Sequence, residues 1–200
     1  MLIYGGSVVD HRTPVEDRWG GWFVTGAAPT VPPRGKRCDW ITGRPEGHGI
    51  TPDHQMHMIN LITRIGWDTR AGTNQLLAES AREFVDYLLF VDEAPVPRGN
   101  LTSRFAASFG KNAPRDSKGR SLYDLDLHQR LLRYPCSYMI YSDAFDALPS
   151  EAKDAIYKRM VQIVSGADKD RKYARLSAAD RRAILEILRE TKKDFPTAVK

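Results

Sequence analysis

The chain has 200 residues, 42% of them hydrophobic and 28% charged, so it is long enough to bury a core and too apolar for the disordered class. Its formal charge of +5 is spread along the chain instead of gathered in one block, which argues against a nucleic-acid partner. No apolar run approaches the roughly 20 residues of a membrane helix, and two cysteines, Cys38 and Cys136, set up no disulfide framework.

Residues 2–9 and 19–25 are two short runs rich in β-branched and aromatic residues, separated by the charged stretch 11–18. They predict a small N-terminal β-hairpin within residues 1–26. The second run, RWGGWFVTG, sets Trp19 and Trp22 around a glycine pair, and aromatic packing is the favoured reading over a ligand platform. Residues 27–50 interleave prolines with glycines and read as a long irregular loop.

Helical spacing begins at residue 51, and one helical domain is expected over 51–195. Thr51 and Pro52 suit a helix start, with Met58, Leu61, Ile62 and Ile65 facing inward over 51–70. A second helix is expected over 73–91, with Leu76, Leu77, Phe84, Leu88 and Val91 on its apolar face and Asp92 to Pro95 closing it. Residues 95–120 form a second long loop, where Arg98, Arg104, Lys111, Arg115, Lys118 and Arg120 face the single acid Asp116. Such charges are more often solvated than used, but the loop is also able to receive a phosphate or carboxylate.

Residues 122–166 are the stretch around which the domain is organised. Ser121 with Asp124 has the spacing of a capping box, and Leu122, Leu125, Leu131 and Leu132 then fall on one side of an expected helix that Pro135 ends. A tyrosine-rich bridge, 134–141, leads to Pro149, which opens a helix with Ala152, Ile156, Met160, Ile163 and Val164 inward, and Ser165-Gly166 stops it. After a charged segment, Ser177 with Asp180 opens a last helix whose Ala183, Ile184, Ile187 and Leu188 face inward. The expected fold class is therefore mainly α, a helical domain with a small N-terminal β-hairpin and two long loops.

His54 and His57 lie three apart near a helix start, so two imidazoles share one face and can hold a metal ion or approach a haem. His128, with Asp53, Asp124 or Asp126, completes a set if the helices align, which makes His54, His57 and His128 the metal candidates, although no HExxH spacing is present. Cys136, flanked by apolar and aromatic residues, reads as a small core residue and not as a nucleophile. Asp143, Asp146 and Glu151 read as helix-end and surface acids, and there is no phosphate loop, GxSxG elbow or dinucleotide fingerprint.

Three segments carry a resemblance: DHRTPVEDRWGGWFVTG (10–26), HQMHMINLITR (54–64) and RDSKGRSLYDLDLHQRLLRYPCSYMIYSDAFDALP (115–149). Together they resemble the C-terminal part of a family of uncharacterised, exported bacterial proteins that look like c-type cytochromes. In such relatives a CxxCH haem-attachment segment is expected upstream of the RWGGW-like motif. This chain has no CxxCH, and residues 27–50 depart from the family's continuation of that motif, as in a truncated or frame-altered copy. The resemblance implies the C-terminal helical portion of an electron-transfer protein, itself without a covalent haem, partnered by an upstream cytochrome-like domain or a redox partner. Any haem bound would take His54, His57 or Met58 as axial ligand. As written, with no export signal in MLIYGGSVVDHR, the chain reads as cytoplasmic; as a fragment of the exported family it would be periplasmic. The competing expectations are a metal-dependent helical enzyme using His54, His57 and His128, and a non-catalytic interaction module whose contact is the basic loop.

Overall fold

The computed structural model describes residues 3–4, 7–8, 12, 50–72, 74–93, 109–126 and 128–196. Among these residues the architecture is mainly α, with five α-helices: α1 Ile50–Arg70, α2 Asn74–Leu88, α3 Asp143–Asp146, α4 Ser150–Val164 and α5 Ala178–Thr191. At the N terminus Ile3 pairs with Val8 and Tyr4 with Ser7 in a two-residue antiparallel ladder; the other run of the expected hairpin, 19–25, lies outside the described residues, as does the loop 27–49. Among the described residues no helix is long and apolar enough to cross a membrane.

By internal contacts the chain divides into two units: Met1–His57 with Asp92–Lys111 and Leu125–Arg133, and Met58–Val91 with Asn112–Asp124 and Tyr134–Lys200. The second unit holds the helical core. Met58, Leu61, Ile62 and Ile65 of α1 are all buried, as their spacing requires. The helix begins one residue earlier than expected and places Pro52 in its first turn, where the missing N–H has no helical partner to lose. Gly72, at φ +74°, turns the chain after α1.

Arg64 then bonds Glu83 at 2.6 Å and the Ser80 hydroxyl donates to Asp68, so the two pairs run in opposite directions along the chain and make α1 and α2 an antiparallel hairpin. On α2, Ala81, Phe84, Val85 and Leu88 are buried, but Leu76, expected on the same face, is 41% exposed. It lies in the first turn of α2, ahead of the buried residues, which begin at Ser80. The helix also stops at Leu88, three residues before the expected end: Phe90 and Asp92 adopt positive φ, and the Leu88 carbonyl accepts the Ser137 N–H at 2.8 Å instead of a helical one.

α4 packs against α2 and α5 against α4. All five inward residues expected of α4 are buried, Gly166 ends it at φ +78°, and the N-cap Ser177 accepts the Asp180 N–H at 3.0 Å while its hydroxyl donates to the Asp180 carboxylate. A column of rings joins the elements: Phe84 to Phe145 at 5.9 Å, Phe145 to Tyr157 at 5.8 Å, and Tyr157 edge-on to Phe195 at 5.2 Å.

One expected helix does not form. Half of the expected capping box is made, with Ser121 N–H donating to Asp124 Oδ2 at 3.0 Å, but Ser121 Oγ accepts the Tyr123 N–H at 3.2 Å and the Asp124 N–H goes to the Ser121 carbonyl at 3.1 Å, which closes a turn that does not propagate. In the first unit, Leu125 pairs with Leu132 across an isolated antiparallel bridge and the Asp126 N–H donates to the Leu131 carbonyl at 2.9 Å. The leucine spacing read as a helical face is thus the pairing of two arms of a tight loop. Buried Glu93 fastens it by accepting the Leu131 N–H at 3.1 Å.

Candidate functional site

Of the sequence-derived metal and haem candidates, His54 and His57 stand on the first part of α1, His54 buried and His57 half-buried. His128 is exposed in the loop closed by the Leu125–Leu132 bridge. All three fall in the first unit, whereas Met58 is fully buried in the core of the second. Among the described residues, no group of three or more His, Cys, Asp or Glu side chains is arranged to hold a metal ion.

The residues do not fit a covalently attached haem. That chemistry needs two thiols and a histidine in one CxxCH segment, with the thiols within reach of the vinyl groups. Cys136 is fully buried, next to Pro135, and burial pushes its thiol well above the usual range, so it stays protonated and behaves as the small core residue that its neighbours predict. Cys38 lies outside the described residues.

The tyrosine-rich bridge resolves into a stack. Tyr123 lies 4.8 Å from the Tyr138 ring and 6.2 Å from the Tyr141 ring, and the hydroxyls of Tyr141 and Thr191 share a 2.6 Å hydrogen bond. Burial raises the pKa of Tyr141, so the phenol keeps its proton and the stack is a packing element.

Other acids are bound up in ion pairs. Asp86 accepts from the Tyr173 hydroxyl at 2.5 Å and from Lys172 at 2.6 Å, and Arg159 reaches both Tyr173, at 2.9 Å, and Asp168, at 2.7 Å. Buried Lys192 contacts Asp146 and sits 5.2 Å from the centre of the Phe145 ring. The Tyr157 hydroxyl donates to Asp194 at 2.9 Å. Burial raises the Asp194 pKa, but the Tyr157 hydroxyl and Lys192 outweigh it and hold the carboxyl below its ordinary value.

In the described part of the basic loop the cations stay largely exposed, but three of them also pair with acids. Arg115 pairs with Asp124 at 3.0 Å, Lys118 with Glu186 at 2.8 Å, and Arg120 with both Asp116 and Glu186 at 2.6 Å. The Asp116 side chain is fully buried. Burial alone would raise its pKa, but the Arg120 guanidinium and the N–H groups of Arg120 and Lys118 hold the carboxyl below the ordinary value. The partners on α5 lie 66 to 73 residues away, a distance no local pattern reports, and so the sequence reading missed Glu186 and Glu190 altogether. The other loop arginines named from the sequence, Arg98 and Arg104, lie outside the described residues.

Compared with known proteins, the chain matches no family model, no curated protein and no solved structure.

Proposed function

We propose that the chain is the C-terminal helical portion of a cytochrome-c-like electron-transfer protein, itself without a covalent haem, and that it works by packing against a haem-bearing domain or redox partner. The support for the family is the three-segment motif resemblance. The observation that carries the packing role is Trp67, which stands 66% exposed on α1 while the neighbouring inward positions are buried. A tryptophan left in water this far offers a large apolar area that a partner polypeptide would cover. The acids and cations of the helical core described above are already engaged with one another, which suits a structural role better than an acid–base one.

Two measurements test this reading. The reading frame upstream of the gene should encode a CxxCH segment, and its absence would sink the proposal. The purified protein, offered haem and scanned oxidised and reduced, should show no Soret band that depends on His54, His57 or Met58. A band lost in the His54→Ala, His57→Ala variant would place a non-covalent haem on this chain and overturn a role limited to packing.

The competing metal-enzyme reading, for which the described residues show no three-ligand cluster, is tested on the same sample. Stoichiometric zinc or iron in the purified protein, lost in a His128→Ala variant, would favour it over the packing role.

A further inference from the structure

The turn at residues 116–120 has two sets of bonds with different jobs. The first shapes it. Asp116 Oδ1 accepts the N–H groups of Lys118 at 3.0 Å and Arg120 at 2.8 Å, its Oδ2 accepts Arg120 Nε at 2.8 Å, and the Gly119 N–H donates to the Asp116 carbonyl at 2.9 Å. Arg115 closes the far side by donating to the Gly119 carbonyl at 2.7 Å and to Asp124. Gly119 supplies the positive φ, +75°, that the turn requires.

The second set presents donors outward, and two carboxylates of α5 fill them. Glu190 Oε2 accepts the Ser117 N–H at 2.6 Å and its Oε1 accepts the Ser117 hydroxyl at 3.0 Å. Glu186 Oε2 accepts both Lys118 Nζ at 2.8 Å and Arg120 Nη2 at 2.6 Å. A main-chain N–H, a hydroxyl, an ammonium and a guanidinium converging on one patch is a donor set suited to phosphate and carboxylate groups, because each donor is charge-assisted or fixed by the backbone. The shaping bonds do not involve Glu186 or Glu190, so the main-chain N–H of Ser117 and the Arg120 guanidinium are set by the turn itself, and the Ser117 hydroxyl and Lys118 ammonium extend the same patch. Both the Glu186 side chain, 31% exposed, and the Lys118 side chain, 60% exposed, stand in reach of solvent, and exposed ion pairs of this kind are individually weak.

We infer that residues 117–120 form an oxyanion-binding turn which Glu186 and Glu190 occupy in cis, so that an external phosphate or carboxylate competes with α5 for the same donors. This stands apart from the packing role and does not rest on it.

The test is a titration of the full chain with inorganic phosphate, and separately with glutarate at matched ionic strength, followed by the backbone amide signals of Ser117, Lys118 and Gly119. The Glu186→Gln, Glu190→Gln variant is compared with Glu79→Gln, Glu151→Gln, which removes the same charge from exposed helical sites elsewhere. The released turn should bind one of the two anions roughly tenfold more tightly than the control, with those three amides shifting, and adding Lys118→Ala should erase the gain. A response to phosphate alone assigns a phosphate ligand, and a response to glutarate alone a carboxylate one. Equal affinities in the two variants, or shifts confined to other residues, overturn the proposal. Should the double variant not fold, Glu190→Gln alone frees the Ser117 donors and is read by the same amides.

Discussion

At the scale of single residues, Arg181 does the most with one side chain. From the first turn of α5 its guanidinium donates to three main-chain carbonyls: Ile163 at 3.0 Å, Tyr173 at 3.0 Å and Leu176 at 2.9 Å. It thereby pins the end of α4 to the connection before α5, adding a second donor to the Ile163 and Tyr173 carbonyls, which also accept the Gly166 and Leu176 N–H groups. Arg181→Ala should cost about 2–3 kcal/mol, read as a lowered thermal midpoint, with Arg181→Lys recovering only part because an ammonium lacks the planar fork. An unchanged midpoint would show that water serves those carbonyls equally well. Cys136 offers a second check at this scale. Its buried, protonated thiol should resist iodoacetamide at mildly alkaline pH in the native protein and react once the chain is unfolded in guanidinium chloride, followed by mass spectrometry of the peptide carrying it. Modification in the native state would mean that this part of the core opens readily.

At the scale of elements, α1, α4 and α5 were legible because each repeats apolar residues at three- and four-residue steps between recognisable ends. Met58, Leu61, Ile62 and Ile65, or Ala183, Ile184, Ile187 and Leu188, can be buried together only if the segment is helical. Residues 121–135 show how the same argument fails. Leu125 and Leu132 are seven apart, which on a helix is two turns on one face, but a seven-residue separation equally lets two short arms of a loop meet. The capping pair at Ser121 and Asp124 is satisfied by a single turn and cannot tell the two apart. A synthetic peptide of residues 121–135 should therefore show no helical circular dichroism in water, whereas a peptide of 149–166 should gain helix in modest trifluoroethanol. Helix in the first peptide under the same conditions would mean that tertiary contacts override a local preference in the intact chain.

At the scale of the whole molecule, the ion pairs set the pH range in which the fold is stable. Asp116, Asp168, Glu186 and Asp194 all have lowered pKa values, so what they contribute is present above the ordinary carboxylate range and is lost as pH falls through and below about 4. On the alkaline side the shifts are upward. Burial raises Tyr141, Tyr157 and Tyr173, and the Asp86 carboxylate outweighs burial to raise Lys172, so stability is full below about pH 10 and falls as pH rises beyond it. The urea midpoint should accordingly form a plateau between about pH 5 and pH 9 and decline on both sides. A midpoint as high at pH 3 as at pH 7 would show that these carboxylates titrate alike in the folded and unfolded chains. The sequence by itself determined that the protein is mainly helical, which residues of α1, α4 and α5 face inward, and that Cys136 is a core residue, because those properties follow from spacing within a few turns and from immediate neighbours. Only the tertiary structure decided that the basic loop is tied to α5, that Leu125 meets Leu132, and that α2 surrenders its last carbonyl to Ser137. Each of those depends on a partner chosen by packing, and for the loop that partner lies 66 to 73 residues away, beyond the reach of any local pattern.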